Sequence, residues 1–215
     1  MVHIITVLGL TAFEHRVFGS KEPWVVVLAG IHGEEPAPVV AVHSMLPIID
    51  KWPFPFLIIP NANPAGIVKG KRLPEWSENA SPLADIVFRE ELNDGRDIRL
   101  MLDLHEDSSA AGPYLFGHGG GVSVVYLRNL LYAAGVDFPA DLKAWWEKDE
   151  PVLPIEGGIV WEYQDESIDD LVATAGADVV VVETPTTWEL DRRVGLHARI
   201  LAAVPDLYKM LTNAA

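Results

Sequence analysis

The chain contains no cysteine. Disulfides, thiolate catalysis and sulfur-ligated zinc are thereby excluded, so any metal must be held by histidine and carboxylate side chains. No apolar run approaches membrane-spanning length. The opening stretch MVHIITVLGLT lacks the basic start and small-residue cleavage site of a secretory signal, so it reads as a first strand and the expected compartment is the cytoplasm. Basic residues are scarce. Sixteen Lys and Arg stand against 31 Asp and Glu, a formal net charge of -15, which argues against nucleic acid or an anionic membrane as a partner. It does not exclude an anionic small substrate held by one local arginine. The G-x-S-x-G nucleophile elbow of serine hydrolases is also missing, so the glycine-rich GHGGG at 117–121 is not read as an oxyanion hole of that class.

What is present is a globular composition. Of 215 residues, 49% are apolar and 22% charged, enough for one sizeable core without a second domain. Val2 to Thr11 favours a strand, and residues 12–23 suggest a polar edge hairpin. Trp24 to Ala29 is a continuous apolar run of the kind found in buried parallel strands. Pro36 starts a helix to about Asp50, with Val39, Val40, Val42, Met45 and Leu46 on its buried face. Further apolar runs cover Phe54 to Ile59, Ile98 to Leu104 and Asp178 to Val182. PNANPAG after the second run has a turn composition. Helices are expected over 83–92, 123–134 and 167–173, with a short one over 139–149 and a long one from Thr186 to the end. Strands alternating with helices predict a single α/β domain over residues 1–215, a mixed, mostly parallel sheet with helices on both faces.

The polar residues cluster where those runs end. The first run is followed by His32, Glu34 and Glu35, and the second by Asn61 and Asn63. The third ends in Asp103, His105, Glu106 and Asp107, and the last in Glu183. In a mostly parallel sheet these ends share one edge, where ligands bind. Two histidines and a carboxylate leave a fourth zinc position open, as catalytic sites do. His32, Glu35 and His105 are therefore the candidate ligands of one zinc per chain. Glu183, isolated after four valines, is the candidate general base and acid, although it could equally cap a helix or pair with a cation. Asp103 could orient a ligand histidine, or its place on the strand could point it away. His3, His15, His43 and His197 read as structural. His118 sits nearer the candidate site, in a glycine loop expected to shape the backbone.

HGEE (32–35), NPAG (63–66), GKR (70–72), DLHE (103–106) and the late ET (183–184) resemble the zinc carboxypeptidases of the M14 type. The closest likeness is to the succinylglutamate desuccinylase/aspartoacylase branch and its uncharacterised relatives. The likeness spans about residues 24–190. It implies metal ligation by His32, Glu35 and His105, a base at Glu183, and Arg72 polarising the scissile carbonyl or binding a substrate carboxylate. Asn79 matches a substrate-binding position, and Tyr163 is a possible occupant of the peptidases' tyrosine position. The arginine that follows that asparagine in the branch is Ala80 here, and Glu106 and Asp107 add negative charge nearby. A neutral or cationic group beside the scissile amide is expected rather than a strongly anionic one. The C-terminal β-rich domain of the branch is not expected.

Two functions compete: a zinc hydrolase cutting an amide in a short peptide or acylated amino acid, or a metal- or small-molecule-binding module on the same fold. Glu183 favours the enzyme, because a binder has no need of a base there. The oligomeric state is left open.

Overall fold

The computed structural model describes residues 2–7, 10–15, 23–71, 97–119, 121–139, 141–142, 153–154, 157–161 and 168–213. The chain opens with β1 (Val2–Val7), β2 (Leu10–His15) and β3 (Trp24–Ala29), then α1 (Pro36–Ile49), β4 (Phe56–Ile59) and α2 (Pro64–Lys69). It continues with β5 (Ile98–Asp107), β6 (Tyr114–His118), α3 (Val122–Ala133), β7 (Asp141–Leu142), β8 (Leu153–Pro154) and β9 (Ile159–Trp161). It closes with α4 (Ile168–Thr174), β10 (Asp178–Pro185) and α5 (Leu190–Asn213).

The main sheet has eight strands in the order β1-β2-β4-β3-β5-β10-β6-β9. The four apolar runs of the sequence form its adjacent parallel centre, β4-β3-β5-β10. Antiparallel strands flank that centre on both sides. The chain passes from β3 to β4 on one side and then to β5 on the other, so the crevice between the carboxyl ends of β3 and β5 is a topological switch point.

Alternation along the strands divides the core. Val25, Val27, Leu100, Leu102, Leu104, Val180 and Val182 pack under α1, α3 and α5. Val26, Leu28, Met101 and Val179 pack on the opposite face with Ile168 and Val172 of α4. Helices thus cover both faces, as the strand–helix alternation predicts.

Several local expectations are corrected. Val2–Val7 and Leu10–His15 pair as two antiparallel strands, where Val2 to Thr11 reads as one. PNANPAG is more than a turn: Asn63 caps α2 by accepting a hydrogen bond from the Gly66 N–H at 2.8 Å. Val40 is exposed on α1 while Val39, Val42 and Met45 are buried. Asp141–Leu142 pairs with Leu153–Pro154 in a small second sheet, where a helix was expected. The strand β6 lies in what reads as a long loop, and the helix expected at 83–92 falls outside the described residues.

Candidate metal centre

The left-handed backbone at Gly30 (φ 69°) turns the chain sharply as it leaves β3. A β-carbon there would lie 2.6 Å from the Val39 side chain, so glycine is required on both counts. The loop that follows is seated on α2. A β-carbon at Gly33 would lie 2.2 Å from the Gly66 backbone and 2.2 Å from the Lys71 carbonyl oxygen. HGEE and NPAG are thus two halves of one close backbone contact. Asn63 strengthens it by donating to the Ile31 carbonyl at 3.1 Å. Asn61 accepts from the Asn63 N–H at 3.2 Å, so both asparagines shape the loops.

This loop delivers His32 and Glu35 to the end of β5. His32 Nδ1 is 2.7 Å from Glu35 Oε1, and His105 Nδ1 is 2.9 Å from Glu35 Oε2. The two imidazoles lie with centroids 4.8 Å apart and planes at 57°. One donor atom from each of His32, Glu35 and His105 falls within 4.8 Å of the others, and these three form the one group of potential metal ligands among the described residues. The other nitrogen of His105, Nε2, is 3.1 Å from Asp103 Oδ2. Residues two apart on a strand share a face, so Asp103 turns toward His105 rather than away. A carboxylate behind a histidine fixes its ring orientation and raises its basicity as a ligand.

Glu183 stands on the neighbouring strand in register with His105, and across β6 it faces Tyr114. Parallel partners in register present their side chains on one face, so His105 and Glu183 share the α4 side of the sheet. Glu183 Oε2 is buried and has no hydrogen-bond partner among the described residues.

The electrostatics are those of an acid-rich pocket. Burial opposes the charged form of Glu35, yet His105 and His32 hold its carboxyl down at about 2. Burial would also strip the proton from His105, but Asp103 and Glu35 raise its affinity for that proton well above normal. Burial pushes Glu183 well above the carboxylate range; His105 opposes the rise, and Glu35, Asp107 and Asp103 add to it. Three carboxylates thus surround two imidazoles in a setting that only cations or protons can balance. The donor set of two nitrogens and a carboxylate, with Asp103 behind one nitrogen, fits a zinc ion.

The acidic pair after His105 does not join this group. Glu106 leaves the opposite face, where it accepts from the Ala37 N–H at 2.8 Å and pairs with Arg193. Asp107 accepts from Ser109 N and Oγ, each at 2.7 Å, and from the buried Tyr114 hydroxyl at 2.8 Å. Glu106 is paired by Arg193, but Asp107 has only neutral partners and its charge reaches Glu183, so the expected substrate preference rests on Ala80 together with Asp107. Tyr114 and Arg193 escaped the sequence reading; the apolar YLF after the acidic strand end was the available signal for the first. His197 is fully buried, as a structural histidine should be. His118 lies 3.2 Å from Asp170. Arg72, Asn79 and Tyr163 lie outside the described residues.

No protein-family model matches this sequence, and no curated protein matches it. Solved structures do resemble it. A candidate metallopeptidase from Shewanella amazonensis SB2B matches with a TM-score of 0.78 at 20% identity, over 98% of this chain and 87% of that one. A second candidate metallopeptidase, from Shewanella denitrificans OS217, matches with a TM-score of 0.74 at 20% identity, over 94% of this chain and 82% of that one. A metallo-carboxypeptidase from Burkholderia cenocepacia matches with a TM-score of 0.62 at 15% identity, over 95% of this chain and 64% of that one. At these identities the likeness is one of fold. The chain has a carboxypeptidase-like α/β fold with a buried histidine–glutamate cluster able to hold a metal ion.

Proposed function

We propose that the chain is a zinc-dependent hydrolase that cleaves an amide bond in a short peptide or an acylated amino acid. The observation that carries this reading is the register of β5 and β10, which sets Glu183 beside His105 on the face where His32 and Glu35 arrive. A zinc ion held by His32, Glu35 and His105 would keep one coordination position open and supply Lewis acidity there at neutral pH. Glu35 keeps its negative charge at every ordinary pH, so it serves as a ligand and not as the base. Asp103 orients His105. Glu183 takes the proton of the attacking water and returns it to the leaving nitrogen.

Arg72 polarises the scissile carbonyl or binds substrate in this scheme, with Asn79 and Tyr163 beside it. Lys71, the residue before Arg72, already touches Gly33 of the metal loop, which supports a role for that segment at the site. With alanine at position 80, we expect neutral or cationic groups next to the scissile bond. The motifs favour the desuccinylase/aspartoacylase branch.

Zinc analysis of wild type and Glu183→Gln, combined with a screen over short peptides and acylated amino acids, tests the reading. Both proteins should bind one zinc per chain, while the variant loses turnover by about 10²–10⁴-fold. Absence of zinc binding overturns the site, and equal turnover overturns the base. Turnover in neither protein favours the binding module. Faster cleavage of N-succinylglutamate or N-acetylaspartate than of neutral substrates overturns the substrate preference.

A further inference from the structure

His105 and Glu106 are consecutive on β5, so one side chain enters the candidate metal centre and the other leaves the opposite face. On that far face Glu106 touches two other elements at once. Its Oε2 accepts from the Ala37 N–H at 2.8 Å, and its Oε1 pairs with Arg193 of α5. The first contact falls on the helix that begins directly after Glu35.

The start of α1 explains why such a contact is needed. Glu35 occupies the N-cap position but forms no side-chain cap, because its carboxylate is turned to the two imidazoles. Pro36 and Pro38 have no N–H, and the first turn contains no acidic residue of its own. Ala37 therefore carries the only N–H among the first three helical residues, and Glu106 accepts it from across the fold. A carboxylate there also complements the positive end of the helix dipole. Arg193 balances the charge of Glu106 beside a largely apolar cluster. The 2.9 Å contact between Glu35 and His105 and the 2.8 Å bond between Ala37 and Glu106 thus tie the start of α1 to consecutive residues of β5, from opposite faces of the strand.

We propose that Glu106, secured by Arg193, is a positioning residue that fixes the His32–Glu35 loop against His105 and so sets the spacing of the three donors. The assignment rests on the metal reading above, but it concerns loop geometry and can be tested apart from metal.

Three variants decide it: Glu106→Ala, Glu106→Gln and Arg193→Met. Zinc affinity is measured by chelator competition, and donor geometry by the visible absorption of the cobalt-substituted protein. Hydrogen exchange over residues 32–40 is followed in chelator-treated protein. Glu106→Ala should speed exchange in that segment selectively, alter the cobalt spectrum and weaken zinc binding by about 10–100-fold, the range for residues that orient ligands. Glu106→Gln keeps an oxygen acceptor for Ala37 and should restore most of the affinity. A folded Glu106→Ala protein with the wild-type spectrum and affinity overturns the proposal. Should that variant fail to fold, Arg193→Met decides in its place, with weakened zinc binding expected and unchanged binding overturning the role. If wild type binds neither zinc nor cobalt, the metal reading falls; exchange alone then judges the brace, and unaltered exchange over 32–40 overturns it.

Discussion

His105–Glu106 on β5 and Glu183–Thr184 on β10 lie in register, and each pair splits across the sheet. The first member of each pair faces the α4 side, the second the side covered by α1 and α5. On the α4 side the groups are in conflict: Glu183 has a buried oxygen without a partner among the described residues, and burial there opposes the charged forms of Glu35 and Glu183. On the other side the strand residues are settled: Glu106 and Thr184 each have partners, and the buried atoms left without one among the described residues are Arg193 Nε and His197 Nδ1. Arg193 and His197 are four residues apart on one face of α5. Arg193 pairs with Glu106, and the Thr184 hydroxyl lies 3.1 Å from His197 Nε2. One turn of helix thus meets the residue following each site residue. The difference teaches that neighbouring positions in a strand can be set to different environments, one in the candidate metal centre and the next tied to α5 on the far side.

The sharpest way to break this contrast is Asp103→Asn on the α4 face. It should weaken zinc binding by about 10–100-fold, measured by chelator competition, while the melting temperature of the chelated protein stays close to wild type. A large loss of stability without loss of affinity would make Asp103 a structural residue instead. Thr184→Val on the settled face should behave oppositely. It preserves shape but leaves His197 buried with both nitrogens unpaired, at a cost of about 1–3 kcal/mol in denaturant unfolding, with zinc affinity unchanged. Changed affinity would show that the two faces are less separate than their contacts suggest.

Acid sensitivity provides a smaller and more graded test. Burial, helped by the nearby His105, lowers the pKa of His197 from 6.5 to about 3. The unfolded chain then binds a proton below pH 6.5 that the folded chain refuses, so this residue favours folding fully above that pH. Its contribution is lost as pH falls toward 3, by up to about 1.4 kcal/mol per pH unit. Urea unfolding of chelator-treated protein across this window should show that slope, and His197→Gln should flatten it. An unchanged slope would assign acid sensitivity to other groups. Glu183→Gln sharpens the comparison from the other side. Its folded-state carboxyl is raised, so the ionised form costs stability above the unfolded pKa of 4.5, and the variant should be more stable than wild type in the chelated state at neutral pH.

The sheet and its reactive edge were legible because buried parallel strands are long apolar runs, and such runs end abruptly at HGEE, DLHE and ET. The convergence of His32, Glu35 and His105 followed from topology alone. The partners behind them did not. Asp103 could have been placed correctly from strand periodicity, since it lies two residues from His105. Arg193 could not: it sits on a helix 87 residues from Glu106, and nothing local distinguishes it from a solvated cation. The strand β6 was hidden because it is short and ends in glycines, and its stability comes from pairing with β10 and β9.

The sequence separation of 70 between Glu35 and His105 matters in time as well as in space. A chain made from its N-terminus holds all three candidate donors as soon as His105 emerges, with β10 and α5 still unmade. Until β10 and α5 follow, β5 has β3 on one side and an open edge on the other, and Glu106 lacks Arg193. An ion captured at that moment would join the two halves of a partly built sheet across a long loop, whose closure is otherwise opposed by entropy. The donor set is therefore placed to act as an early clasp during biosynthesis, before the residue proposed as the base exists.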